Sequence, residues 1–125
     1  MKVLSNNFEH LDEISNEFTL NNKNLSPQLY WTNNNVNTTG FLIIMTNMKN
    51  NNIHWMTLTN NQYLNLNEKT NLEKVNYVGP NDKMDVVTYI IDVYALRNCN
   101  IEYPYILDNR NVLDRGYIKF IYNGF

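Results

Sequence analysis

The chain is 125 residues long, 43% hydrophobic and 18% charged, with a net charge of −2 at pH 7. That length and apolar content suit one globular domain over residues 1–125, large enough to bury a core without disulfides. Lys and Arg are not clustered, which argues against nucleic acid or an anionic membrane as partner, and no run approaches the roughly 18–20 apolar residues of a membrane span.

The opening MKVLSNNFEH offers only Val3 and Leu4 before polar residues, so it has no signal-peptide core. The expected location is the cytoplasm, or a host cytoplasm if the source is viral. Phe8, Leu11 and Ile14 have helical spacing over one or two turns. Glu17 to Leu20 and Gln28 to Trp31 are short strand candidates. Gly40 to Asn47, GFLIIMTN, is a continuous apolar run of strand length, which predicts burial on both faces. Ile53 to Thr59 follows, with Ile53 and Trp55 expected on one face and His54, Met56 and Leu58 on the other. Both faces carry apolar residues, so a central strand is expected.

Lys74 to Tyr77 is another short strand candidate. Thr88 to Leu96, TYIIDVYAL, is rich in β-branched and aromatic residues and predicts a third strong strand. Asp92 inside it is a buried charge that needs a Lys, an Arg or a backbone donor. Ile106 to Asp114 has the pattern of a short helix, and Tyr117 to Tyr122 that of a fourth strong strand. Turn signals fall between these segments, at Ser26-Pro27, Gly79-Pro80, Tyr103-Pro104 and Arg115-Gly116. The fold class implied is mainly β, an antiparallel sandwich or barrel with at most one or two short helices.

Asparagine makes up about one residue in five, in runs that read as loops. An A+T-rich genome gives the same bias, and a parasite, a low-GC bacterium and a large DNA virus all fit. Asn24-Leu25-Ser26 and Asn37-Thr38-Thr39 match the glycosylation acceptor pattern, a chance match without a secretory signal.

No catalytic motif of the G-x-S-x-G, H-E-x-x-H or G-x-x-x-x-G-K type occurs. Two histidines and one cysteine do not make an ordinary zinc site without several carboxylates. No cofactor is expected and a non-enzymatic role is. Cys99 reads as a structural thiol, His10 as a residue without a role, and Glu9, Asp12, Glu13 and Glu17 as a solvated acidic face. Tyr103, Tyr105, Tyr117 and Tyr122 make the C-terminal part aromatic, either as core or as a surface for a protein partner. His54 is either a pocket group or a neutral core histidine donating to a backbone carbonyl.

Several segments taken in order carry a resemblance. They are Asn24-Leu25-Ser26-Pro27-Gln28-Leu29-Tyr30-Trp31, Gly40-Phe41-Leu42, His54-Trp55, Tyr77-Val78-Gly79-Pro80 and Tyr89-Ile90-Ile91-Asp92-Val93-Tyr94-Ala95-Leu96. Together they resemble the phosphatidylethanolamine-binding protein family, whose members carry N-x-S-P-x-L-x-W, D-P-D-x-P, W-x-H-W, Y-x-G-P and H-R-Y-x-F-x-V-Y-A-L. The resemblance covers roughly Ile14 to Leu96. It implies a sandwich of antiparallel sheets with Greek-key connections and a small anion or head-group pocket at one end.

By this resemblance the ligand-binding positions are Asn47, His54, Trp55, Tyr77, Gly79, Pro80 and Tyr89. The departures are equally specific. Asn47 falls near the first aspartate of D-P-D-x-P, Met48 takes the proline position, Val87 replaces the second histidine and Thr88 the arginine. A pocket without those charges holds phosphate weakly. The implied role is a binding or scaffold module acting through a protein partner, as family members regulate kinases, proteases and other proteins. A small anion or phospholipid head group is the alternative ligand.

Overall fold

The computed structural model describes residues 1–101 and 108–125. Among these residues the chain forms β1 (Val3–Leu4), β2 (Leu29–Trp31), β3 (Gly40–Asn47), β4 (Ile53–Thr59), β5 (Tyr63–Leu64), β6 (Val86–Leu96) and β7 (Val112–Asn123). Every ladder is antiparallel. A large sheet has the order β4-β3-β6-β7, and a small one the order β1-β2-β5. The chain leaves the large sheet after β4, enters the small one as β5, and returns as β6 beside β3. This crossover takes the place of a simple meander and yields the expected sandwich.

The apolar run of β3 explains the layering. Its side chains alternate between the two faces. Phe41, Ile43 and Met45 join Trp55, Ile91, Val93 and Phe120 in the core between the sheets. Leu42 joins Met56, Leu58 and Leu96 in a smaller cluster on the opposite face, with Val75, Cys99 and Ile101 packed against it. β3 is therefore central and buried on both sides, as its composition predicts.

Several local expectations fail, each for a physical reason. Ile53 to Thr59 is an edge strand of the large sheet and not a central one; its outer edge is capped by the loop chain, with Val75 pairing to Met56 and Val78 N–H donating to His54 C=O (2.9 Å). Phe8, Leu11 and Ile14 do not lie on a helix. Phe8 and Ile14 are buried, but on an irregular segment laid along the free edge of β7. Leu11 N–H donates to Lys119 C=O (2.8 Å), Ile14 N–H to Ile121 C=O (2.8 Å), and Ile121 N–H to Asp12 C=O (2.8 Å). Satisfying an exposed strand edge outweighs a one-turn helix. Leu11 sits at φ 68 and is half exposed, so it turns the chain there.

Glu17 to Leu20 is not a strand; the chain makes a 3-10 turn at Asn16–Phe18. Lys74 to Tyr77 contributes only an isolated bridge between Val75 and Met56. The expected helix at Ile106 to Asp114 is replaced from Val112 onward by β7, with a turn before it. Ile106, Tyr103-Pro104 and Tyr105 lie outside the described residues. Among the described residues no helix is long and apolar enough to cross a membrane.

Candidate functional site

One end of the sandwich collects the residues that the sequence singled out. β3 ends there at Asn47, β4 carries His54 there as its second residue, and β6 brings Tyr89. The register pairs Asn47 with Tyr89 directly across the β3–β6 ladder. His54 reaches the same place through an irregularity. The β3–β4 register shifts between Met45 and Thr46, so that Met45 opposes Trp55 while Thr46 opposes Ile53. His54 is the extra residue of a β-bulge. Ile53 and Trp55 therefore face opposite sides, against the expected alternation. His54 turns inward and sets its ring edge-on to Tyr89 (centroids 5.1 Å, 87°).

Tyr89 is fully buried and stacks on Phe120 (5.3 Å, 4°). Its hydroxyl donates to Asp82 Oδ2 (2.5 Å) and accepts from Asn47 Nδ2 (3.2 Å). Asn47 Nδ2 also donates to Asp82 Oδ1 (3.2 Å). Burial and the neighbouring carboxylate push the Tyr89 phenol far above its ordinary value. Asp82 lies two residues past the Gly79-Pro80 turn, outside every pattern that drew attention to this end. It puts a carboxylate at the centre of the site. The one available signal was its place in the same loop as Gly79.

Counting donors and acceptors shows what remains open. A side-chain amide offers two N–H donors and an oxygen with two lone pairs. Both Asn47 N–H groups are engaged as above, and its Oδ1 accepts from the amides of Lys49 (2.8 Å) and Asn50 (3.3 Å). Asn47 is thus fully occupied, as both loop cap and site member. His54 donates from Nδ1 to Val78 C=O (2.8 Å). A carbonyl only accepts, so that nitrogen carries the proton, and in the neutral ring Nε2 is left as an acceptor.

The Tyr77-Val78-Gly79-Pro80 loop is sewn to residues 18–24. Gly79 N–H donates to Asn24 Oδ1 (2.7 Å), Asn24 Nδ2 donates to Tyr77 C=O (3.2 Å), and Leu20 N–H donates to Pro80 C=O (3.1 Å). Asn24 adopts φ 54, a left-handed conformation that asparagine tolerates. Gly79 itself has no positive φ. It is required for space: a Cβ there would lie 2.1 Å from Phe18 O. Tyr77 is buried, donates its hydroxyl to Phe18 C=O (2.8 Å), and packs edge-on against Trp55 (5.5 Å). Burial pushes the Tyr77 phenol well up. Trp55 is fully buried and donates from Nε1 to Glu73 (3.1 Å).

The structure therefore gathers Asn47 and Tyr89 around Asp82, sets His54 against the Tyr89 ring, and places Gly79 and Pro80 in the adjoining wall. Trp55 and Tyr77 lie behind it in the core. Exposed apolar side chains surround this end. Met48 and Met84 flank the Lys49–Asp85 ion pair, Val78 adjoins His54, and Phe125 follows Gly124, whose C=O accepts from Met84 N–H. Among the described residues no group of three or more His, Cys, Asp or Glu is placed to hold a metal ion.

No protein-family model matches the sequence, and no curated protein matches it. Solved structures do. A phosphatidylethanolamine-binding protein homolog from Chlamydia trachomatis superposes with a TM-score of 0.81 at 12% identity, covering 98% of this chain and 96% of that one. YbcL of Escherichia coli, described as a member of the mammalian phosphatidylethanolamine-binding protein family, superposes with a TM-score of 0.82 at 16% identity, covering 98% and 97%. The fold is thus that of the phosphatidylethanolamine-binding proteins over nearly the whole chain.

Proposed function

We propose that this phosphatidylethanolamine-binding-protein fold serves as a non-enzymatic binding module that acts through a protein partner, with its head-group pocket reduced. The observation that carries this reading is the occupancy of the pocket's donors. Asn47 has no hydrogen-bonding capacity left, Gly79 N–H is held by Asn24 and His54 Nδ1 is held by Val78. The side-chain capacity left at this end is mainly acceptor in character: the Asp82 carboxylate, the Tyr89 hydroxyl oxygen and His54 Nε2. A phosphate needs donors and repels a carboxylate. The apolar rim of Met48, Val78, Met84 and Phe125 suits a protein surface instead, since Met and aromatic residues are enriched at interfaces.

Two measurements test this. A pull-down recovers a stoichiometric partner with the wild-type chain and with His54→Ala, and recovery falls with Met84→Asp. Separately, inorganic phosphate or phosphorylethanolamine at millimolar concentration leaves the His54 ring resonances unmoved. Saturable shifts at His54, with no partner recovered, would reverse the reading in favour of a small-anion or head-group binder.

A further inference from the structure

A cavity of about 590 Å³ lies away from this site, on the β7 side of the molecule. That is the size of a ligand pocket of roughly 300–1,000 Å³. Its apolar floor includes Phe8 and Ile118, both buried, and its walls include Tyr30 of β2 and Tyr117 of β7, both exposed. Lys2 and Glu9 give its rim one charge of each sign.

The cavity exists because the N-terminal segment does not follow β7 continuously. Lys119 N–H donates to His10 Nδ1 (3.1 Å) and Lys119 C=O accepts from Leu11. Ile121 is paired by Asp12 and Ile14. At the other end, Gly116 packs against Met1 and Val3. Between these two stitches the segment touches Tyr117 through its ring, which meets the His10 ring edge-on (6.0 Å, 60°), and leaves its main chain unpaired. Outward-facing backbone groups recur every second residue along an edge strand. Lys119 and Ile121 point theirs outward, so Tyr117 does too. Among the described residues, neither its N–H nor its C=O has a hydrogen-bond partner.

We propose that this cavity is a second binding site, which takes a short extended peptide segment by pairing its main chain with the N–H and C=O of Tyr117. Main-chain pairing on a free strand edge supplies affinity, and pockets for side chains supply selectivity. The apolar floor takes one apolar or aromatic side chain of the peptide, and the tyrosines flank it. Because the open stretch of edge around Tyr117 is short, the bound stretch is short, about three residues.

Acetylated, C-terminally amidated tripeptides with Phe, Leu, Tyr or Trp at the centre are the probes. Titration of at least one shifts the Tyr117 amide resonance and slows its hydrogen exchange, while the Asn47 and His54 signals stay in place. Replacing each peptide amide in turn by an ester weakens binding at least tenfold at one position. Tyr30→Ala, an exposed wall residue, weakens binding at least fivefold with an unchanged unfolding midpoint. The proposal is overturned if no probe moves Tyr117, if every ester binds as well as its amide, if Tyr30→Ala binds like wild type, or if shifts concentrate at His54.

Discussion

Tyr89 shows how a residue recognised by pattern is fixed by one that was not. Its hydroxyl depends on Asp82 and Asn47, and in return it satisfies polar groups next to a buried ring. Tyr89→Phe keeps the stack on Phe120 but leaves Asp82 and one Asn47 N–H without that partner. A loss of about 1–3 kcal/mol in urea unfolding is expected, the cost of unsatisfied buried polar groups. Asp92 was legible as a buried charge in want of a partner. Arg115 supplies it from β7, with Nε 2.8 Å from Oδ1. Burial pushes the Asp92 carboxyl above its ordinary value of 3.8, and Arg115 pulls against it. Burial dominates at Asp92 because the carboxyl is enclosed, whereas the Arg115 head is half in solvent.

The sign of the pH effect follows. A raised carboxyl binds protons more readily in the folded state, so stability falls as pH rises from about 3.8 through the folded value. Asp92→Asn therefore gains on the wild type across that interval and is level with it or ahead near neutrality. Arg115→Ala costs about 1–3 kcal/mol near neutrality, where an unpaired buried carboxylate remains, and less at acid pH. Denaturant midpoints measured across the acid range decide both expectations.

At the scale of elements, the long strands and the short β2 were legible, and β1 and β5 were not. β3 and β6 announce themselves through apolar, β-branched runs, whereas β1 and β5 have two residues each and present no period to detect. The bulge in β4 was hidden because its sequence, Ile53-His54-Trp55, alternates plausibly either way. Only the register with β3 shows that His54 is additional. Deleting His54 leaves Ile53 and Trp55 on the faces they now occupy. The expected outcome is a folded protein, weaker by about 1–3 kcal/mol for the two lost hydrogen bonds to Val78, one from the ring and one to the His54 carbonyl. Deleting Met56 instead throws Trp55 to the wrong face, and no cooperative thermal transition is expected. The Gly79 loop was legible as a turn, but the reason for its glycine was not. Gly79→Ala must displace the Phe18 carbonyl, and a loss of about 2–4 kcal/mol is expected in chemical unfolding.

The whole molecule is a sandwich whose class was readable from strand count and turn spacing. The assembly at its pocket end was only half readable. The positions of Asn47, His54 and Tyr89 came from ordered motifs, and Asp82 lay beyond the last motif residue. Side-chain commitments such as Asn24 to Gly79 join positions 55 residues apart, and no local pattern reports them. The covering of β7 was equally hidden, because residues 10–14 have no strand composition. Removing residues 1–14 bares that strand, exposing Phe120 and an unpaired backbone edge. Association at micromolar concentration is then expected, detectable by light scattering, while the full chain stays disperse.

That same covering has a consequence in time. His10 meets Lys119 across 109 residues of chain. During synthesis the segment that shields β7 waits, unpaired, until the strand 109 residues further on has been made. β7 in turn finds its inner neighbour β6 close by in sequence and its outer neighbour more than a hundred residues back. The last closure of this fold is therefore a long-range one, and a chain paused before Gly116 has β1 to β6 but neither most of β7 nor the seam that covers it.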